Sequence, residues 1–205
     1  MQIAALRLAE GINDRTFAQW LSHLPGKRRA EILARKMRAD RERSLGGEML
    51  ARTLLARELR CLPSQVPICR EAHGKPVLEG VSTLFFSVSH SGDYAVCAVS
   101  GKPVGIDIER PRAYRPKVAQ RVCSAEELEL LARGDDPARL FCRLWTLKES
   151  YVKLTGTGIG VPLPHISFAF ERDGAVRSNQ TGVRFAHFEL ADGYCLAVCA
   201  KLEDD

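Results

Sequence analysis

The stretch Gly105-Ile106-Asp107-Ile108-Glu109 sets two carboxylates one residue apart, and Trp145-Thr146-Leu147-Lys148-Glu149-Ser150-Tyr151-Val152-Lys153 follows further along. Side chains alternate between the faces of a strand, so Asp107 and Glu109 point the same way while Ile106 and Ile108 point into a core. On a helix, Trp145, Glu149 and Lys153 recur at four-residue spacing along one face. If that helix crosses the end of the strand, three carboxylates and a lysine converge. Carboxylate oxygens are hard ligands that suit Mg2+, which is usually held by a few carboxylates plus substrate phosphates. The lysine would meet a phosphate. The set reads as metal-assisted chemistry at a phosphoryl group. Each half also has a plain reading: two solvated acids at a strand end, and an i,i+4 surface salt bridge worth roughly a few tenths of a kcal/mol.

The elements that must position these residues follow from local pattern. Residues 2–8 read as a short strand, 27–40 as a basic helix, and 44–60 as a second helix broken by Pro63 and Pro67. Strands at 84–89, 94–99 and 104–109, joined by Ser91-Gly92-Asp93 and Ser100-Gly101-Lys102-Pro103, read as a meander. Ser124-Ala125-Glu126-Glu127 is a capping box opening a helix to about 132. Asp136-Pro137 supplies an N-cap and a first-turn proline for a long helix to about 154, with Leu144, Leu147, Tyr151 and Leu154 as its core stripe and Gly156 beyond its end. Strands near 166–171, 183–190 and 193–201 close the chain. Asp93–Val99 resembles Gly193–Cys199, a short hint that the chain repeats itself as two α+β halves.

Bulk properties narrow the class. A chain of 205 residues with 45% hydrophobic and 27% charged content can bury a core as one large domain or two small ones. No apolar run approaches a membrane span and no signal-peptide layout opens the chain, so no membrane partner is expected and the cytoplasm is the expected compartment. The seven cysteines form no CxxC pair, which favours buried thiols over a disulfide frame or a zinc site. Lys27–Arg43 holds eight lysines and arginines against three acids, which accounts for the whole formal surplus of +5. That run is either a solvated helix face or a patch for phosphates or an acidic partner. Aromatics are scarce in it and no binding motif accompanies it, so nucleic acid is not expected as a partner.

Four motifs in order resemble the 4′-phosphopantetheinyl transferases, specifically the longer Sfp-type members of the holo-acyl-carrier-protein synthase superfamily. They are Gly74-Lys75-Pro76 with Ser87-Val88-Ser89-His90-Ser91-Gly92, then Gly105–Glu109, then the Trp145–Lys153 run, then Gly156-Thr157-Gly158-Ile159-Gly160. Order and spacing agree across about 70–200; the basic helices before 60 fit more loosely. Ser87 stands where many relatives carry asparagine, and Ala30 where some carry another basic residue.

The resemblance implies a pseudo-dimer of two α+β halves, about 1–104 and 105–205, with coenzyme A bound in the cleft between them. It implies Mg2+-dependent transfer of the phosphopantetheine arm of coenzyme A to a serine of an acidic apo acyl or peptidyl carrier protein. Adenosine 3′,5′-bisphosphate is the other product. With both halves on one chain, a monomer is expected. By the same resemblance Asp107, Glu109 and Glu149 are metal ligands, Glu149 alternatively accepts the serine proton, and Lys153 holds a phosphate oxygen or the departing bisphosphate. Arg43, Lys75, Pro76, Ser89, His90 and Lys153 would contact coenzyme A. Glu127 is an acid near the metal and a second possible base, beside its capping role. Lys148 is expected to face solvent or a phosphate. His23, His73, His165 and His187 are read as structural. Two rivals share these residues: a metal-dependent phosphodiesterase or nuclease, which would hydrolyse without a carrier, and a module that binds coenzyme A or the carrier without turnover.

Overall fold

The computed structural model describes residues 1–71, 74–171 and 174–202, residue 159 by its backbone alone, so His73 lies outside the described residues. The chain divides into two compact units, Met1–Gly101 and Lys102–Asp205. The first holds β1 (Gln2–Arg7), α1 (Asp14–Ser22), α2 (Gly26–Leu33), α3 (Arg38–Leu59), β2 (Ile68–Arg70), β3 (Pro76–Leu78), β4 (Phe85–Ser91) and β5 (Tyr94–Ser100). The second holds β6 (Val104–Glu109), α4 (Pro116–Val122), α5 (Ala125–Arg133), α6 (Pro137–Thr155), β7 (Phe168–Phe170), β8 (Val176–Ser178), β9 (Val183–Glu189) and β10 (Cys195–Lys201).

The two units repeat one plan. Each opens on a strand, runs through helices to a long one, makes a small two-stranded ribbon, and ends in two antiparallel strands. The last strand is central in each three-stranded sheet, giving β1-β5-β4 and β6-β10-β9. The short repeat seen in the sequence is therefore the central strand of each sheet. The expected meander over 84–109 is corrected: β4 and β5 form a hairpin, but β6 pairs with β10 in the other sheet. Pairing with β10 makes β6 the opening strand of the second unit, which local turn signals could not reveal.

In the first unit α3 packs on β5 and β4 through Ala51, Leu55, Phe86 and Cys97. The single basic helix expected over 27–40 is broken: α2 ends at Leu33 and α3 starts at Arg38. The break lets Ile32 and Leu45, both fully buried, enter one cluster with Phe17, Leu21 and Leu24. Phe17 and Leu21 come from α1, which the sequence reading missed although Asn13 caps it by accepting from Thr16 N–H at 2.9 Å. In the second unit Leu144 and Leu147 of α6 meet Leu131, Phe168 and Ala197. The expected stripe largely holds: Tyr151, half-buried, packs on the same cluster, whereas Leu154 is only half-buried and Val152 is buried. Capping box, proline and terminal glycine fall where expected, with Ser124, Asp136 and Gly156 at helix ends.

All seven cysteines are free thiols; Cys61 and Cys69 are half-buried and the other five buried. Burial pushes the Cys97 and Cys199 thiols up to about 12 and Cys123 up to about 11. Hydrogen bonding from Cys142, with His187, brings Cys195 down to about 6, yet it has no exposed surface. A disulfide-exchange reagent should therefore titrate two thiols in the native protein and seven after unfolding. Rapid native reaction of a third, mapped by peptide mass, would contradict this packing.

Candidate active site

Gly105, Asp107 and Glu109 share one face of β6, and α6 lies against that face. The approach is close. A Cβ built on Gly105 would stand 1.9 Å from the Ser150 carbonyl oxygen and 2.6 Å from the Leu154 nitrogen. Only a residue without a side chain admits helix backbone at that distance. This contact fixes the height of α6 along β6 and sets Glu149 and Lys153 over the acids. Lys153 Nζ donates to Asp107 Oδ1 at 2.7 Å. Asp107 is 4% exposed, not a solvated strand-end acid, and the lysine supplies the positive charge its buried carboxylate needs. Burial first, and then the Asp107 charge, push the Glu149 carboxyl above its usual range; Glu109 adds to this and Lys153 opposes it.

These donors fit a hard divalent cation in chemistry: three carboxylates, one of them raised by burial and by its like-charged neighbours, a strain a bound cation would relieve. Among the described residues no three acidic, histidine or cysteine groups already stand in ligating geometry. The three acids and the lysine come together, with Lys153 paired to Asp107 and Glu149 close enough to feel Asp107, Glu109 and Lys153.

Lys148, expected to face solvent or phosphate, is fully buried. Its ammonium shares three N–H groups among Glu127 Oε2 at 2.6 Å and the carbonyls of Val122 at 2.8 Å, Ile166 at 2.6 Å and Leu163 at 3.1 Å. Glu127, with no exposed surface, accepts from Ser124 N–H at 2.8 Å and Phe168 N–H at 2.9 Å. Two side chains thus tie the end of α4, the start of α5, the middle of α6 and the start of β7. Glu127 is engaged on both oxygens, which leaves it no lone role as a solvent-reached base. The capping box accounted for one of its hydrogen bonds and hid the others, since its lysine partner is distant in sequence.

The second group of predicted residues lies in the first unit. A depression of about 160 Å3 is lined by Arg28, Arg35, Ser44, Arg70, Pro76 and His90, among others. Phe86, Val88 and His90 alternate along β4 towards it, whereas Ser89 belongs to the opposite, buried face. Lys75 adjoins Pro76, and burial lowers its ammonium below the usual range while Glu71 opposes. Arg43 is turned elsewhere, to Asp40 and to the Gly92 carbonyl at 3.2 Å. Sequence reading missed Ser44 and Arg70 and did not single out Arg28. Arg28 lay in the basic run, but nothing local separated it from Arg38, which Asp14 and Glu42 engage.

Two stability measurements check this construction. Lys148→Met should cost about 3–5 kcal/mol in urea unfolding, because it strands a buried carboxylate, and Glu127→Gln/Lys148→Met should recover most of that loss. Gly105→Ala should cost about 3 kcal/mol or more by forcing α6 off β6. A Gly105→Ala protein as stable as wild type would mean that the close approach is not what holds the helix.

Comparison with known proteins gives two family matches that together span most of the chain. Residues 13–102 match "4'-phosphopantetheinyl transferase, N-terminal" and 103–199 match "4'-phosphopantetheinyl transferase superfamily". A 4'-phosphopantetheinyl transferase of Bacillus subtilis is 34% identical over 80% of this chain and 76% of its own length. The transferase psf-1 of Bacillus pumilus is 31% identical over 98% and 90%. The transferase Sfp of Bacillus subtilis is 28% identical over 100% and 94%. Sequence, two-part plan and the acid face of β6 agree: the chain belongs to the 4′-phosphopantetheinyl transferase superfamily, as an enzyme of the Sfp type.

Proposed function

We propose that this enzyme moves the 4′-phosphopantetheine arm of coenzyme A to a serine of an apo acyl or peptidyl carrier protein, with Mg2+, releasing adenosine 3′,5′-bisphosphate. The observation that carries the reading is the set Asp107, Glu109, Glu149 and Lys153, assembled by β6 and α6. Mg2+, held by the three acids, would supply charge neutralisation at the pyrophosphate. The carrier serine oxygen attacks the phosphorus bearing the pantetheine arm. The phosphoanhydride bond breaks, and the electron pair leaves with the bisphosphate. Glu149, as the alternative to holding the metal, takes the serine proton directly or through a water. Lys153 turns from Asp107 to a phosphate oxygen. The nucleophile is the carrier's, so positioning and charge neutralisation do the work. The cationic depression of the first unit takes phosphates of coenzyme A.

The chain supplies both residue sets, so activity is expected of the monomer. Among the described residues no helix is long and apolar enough to cross a membrane. Seven free thiols suit a reducing compartment such as the cytoplasm. For the acidic carrier we assign the exposed Arg112, Arg115, Lys117 and Arg121, with Val118 40% exposed among them.

The decisive experiment incubates the protein with coenzyme A, Mg2+ and a panel of apo-carriers. A carrier gaining the mass of one phosphopantetheine arm is expected, and chelation of the metal should abolish the gain. Loss of coenzyme A without a carrier would support a hydrolase, and neither outcome a binder. Asp107→Asn should lower transfer at least about a hundredfold while the protein stays folded; a near-wild-type rate would remove Asp107 from the site. Arg112→Glu with Arg115→Glu should raise KM for the carrier and flatten its salt dependence, with affinity for coenzyme A unchanged, because rim charges act on association. The reverse pattern would put the carrier surface elsewhere.

A further inference from the structure

Glu48 is an acid in the wall of a cationic pocket, where simple charge matching for an anionic ligand would not put one. It lies on α3 with its side chain 5% exposed, among three guanidinium groups. Arg28 Nε donates to it at 2.8 Å and Arg52 Nε at 3.2 Å, while a terminal nitrogen of Arg70 stands 3.8 Å away. Arg52 turns inward, donating also to the carbonyls of Pro63 at 3.1 Å and Val66 at 3.0 Å. Arg28 and Arg70 turn outward. With Glu48 they form the partition between the depression that His90 lines and a neighbouring one of about 300 Å3 that Lys27 lines.

Arg28 is held at each nitrogen: by Glu48 at Nε, by Glu31 at one terminal nitrogen (3.1 Å), and by Ser44 Oγ at the other (3.1 Å). A guanidinium carries five N–H groups, so two remain for a ligand in a fixed direction. Arg70 is anchored to the Gly74 carbonyl at 2.7 Å. Its nearness to Arg28 costs it: burial, then the Arg28 charge, lower its guanidinium below the usual range, and Glu48 opposes that.

We propose that Glu48 is a positioning residue for phosphate binding, the buried charge that, with Glu31 beside it, lets Arg28 and Arg70 stand side by side facing the phosphates of coenzyme A. The inference rests on the assignment of this pocket to those phosphates. Without the carboxylate charge, the Arg28 Nε hydrogen bond is no longer charge-assisted and weakens. The two guanidinium groups then repel, and Arg70, with 35% of its side chain exposed, moves to solvent. Bare Coulomb reasoning says the opposite: deleting an acid from an anion pocket tightens binding.

The test uses the full chain and adenosine 3′,5′-bisphosphate as the probe, titrated calorimetrically into wild type and Glu48→Gln, with steady-state kinetics beside it. Positioning predicts that Kd for the bisphosphate and KM for coenzyme A both rise about tenfold. It also predicts kcat held within about twofold and KM for the carrier unchanged. A folded variant that binds the bisphosphate as tightly as wild type, or more tightly, overturns the proposal, as does a fall in kcat with unchanged Kd, the mark of a purely structural role. If Glu48→Gln does not fold, Glu48→Gln/Arg52→Met removes the buried countercharge as well and carries the same expectation. Wild-type protein that modifies no carrier and binds neither nucleotide would instead sink the coenzyme A assignment, and this inference with it. Normal wild-type binding with an unaffected variant sinks only the role of Glu48.

Discussion

The second unit is organised by one steric constraint, the contact of α6 backbone with β6 at Gly105. A strand and a helix ordinarily keep their backbones apart by the bulk of intervening side chains. With no Cβ at 105, Ser150 and Leu154 settle directly on the strand. The height of the helix is then set by backbone atoms, which have no rotamers to relax. Glu149 and Lys153 inherit that placement because they flank the contact on the same helix face. A 1 Å error in such a group is enough to spoil phosphoryl chemistry, so a rigid reference point close to the residues proposed to act has direct chemical value.

The buried pair of Glu127 and Lys148 secures the opposite side of the same helix. Buried ion pairs are a poor source of net stability, since desolvation offsets their attraction. This one has a different use. Lys148 spends its donors on three carbonyls as well as the acid, and Glu127 accepts from two backbone amides. Those amides and carbonyls belong to irregular chain ends that no sheet or helix would satisfy. The pair therefore closes the hydrogen-bonding account of several loops at one point and prevents α6 from turning about its axis. Lys148 immediately precedes Glu149, whose side chain lies towards Asp107.

What could be read from the sequence follows the range over which each signal acts. Asp107 and Glu109 were legible because strand alternation is strictly local, and Glu149 and Lys153 because helical spacing is. The caps at Ser124, Asp136 and Gly156 were legible for the same reason. Lys148 was misjudged because its partners lie 15 to 26 positions away, and no local pattern distinguishes a lysine with four buried acceptors from one in water. The break between α2 and α3 was hidden because it is dictated by where Ile32 and Leu45 must pack, not by a glycine or proline. Arg28 and Glu48 were indistinct for a related reason: in a run of alternating charges, only tertiary folding decides which pairs meet. Strand β6 was read correctly as a strand and assigned to the wrong sheet, since pairing with β10 spans most of the second unit.

The repeated plan of the two units carries a consequence for symmetry. If the matching central strands are superimposed residue by residue, Cys97 of β5 takes the place of Ala197 of β10, and Ala95 that of Cys195. Their cross-strand partners are Ala4 and Leu6 in one unit and Asp107 and Glu109 in the other. The same register sets Gln2 opposite Val99 where Gly105 stands opposite Cys199. One copy of the motif thus bears acids and a glycine where the other bears alanine, leucine and glutamine. An assembly of identical halves could not do this, because every halving would repeat both inventories. Carrying two copies on one polypeptide lets them diverge, one toward carboxylates and the other toward arginines, and β1 then offers no acid where β6 carries Asp107 and Glu109.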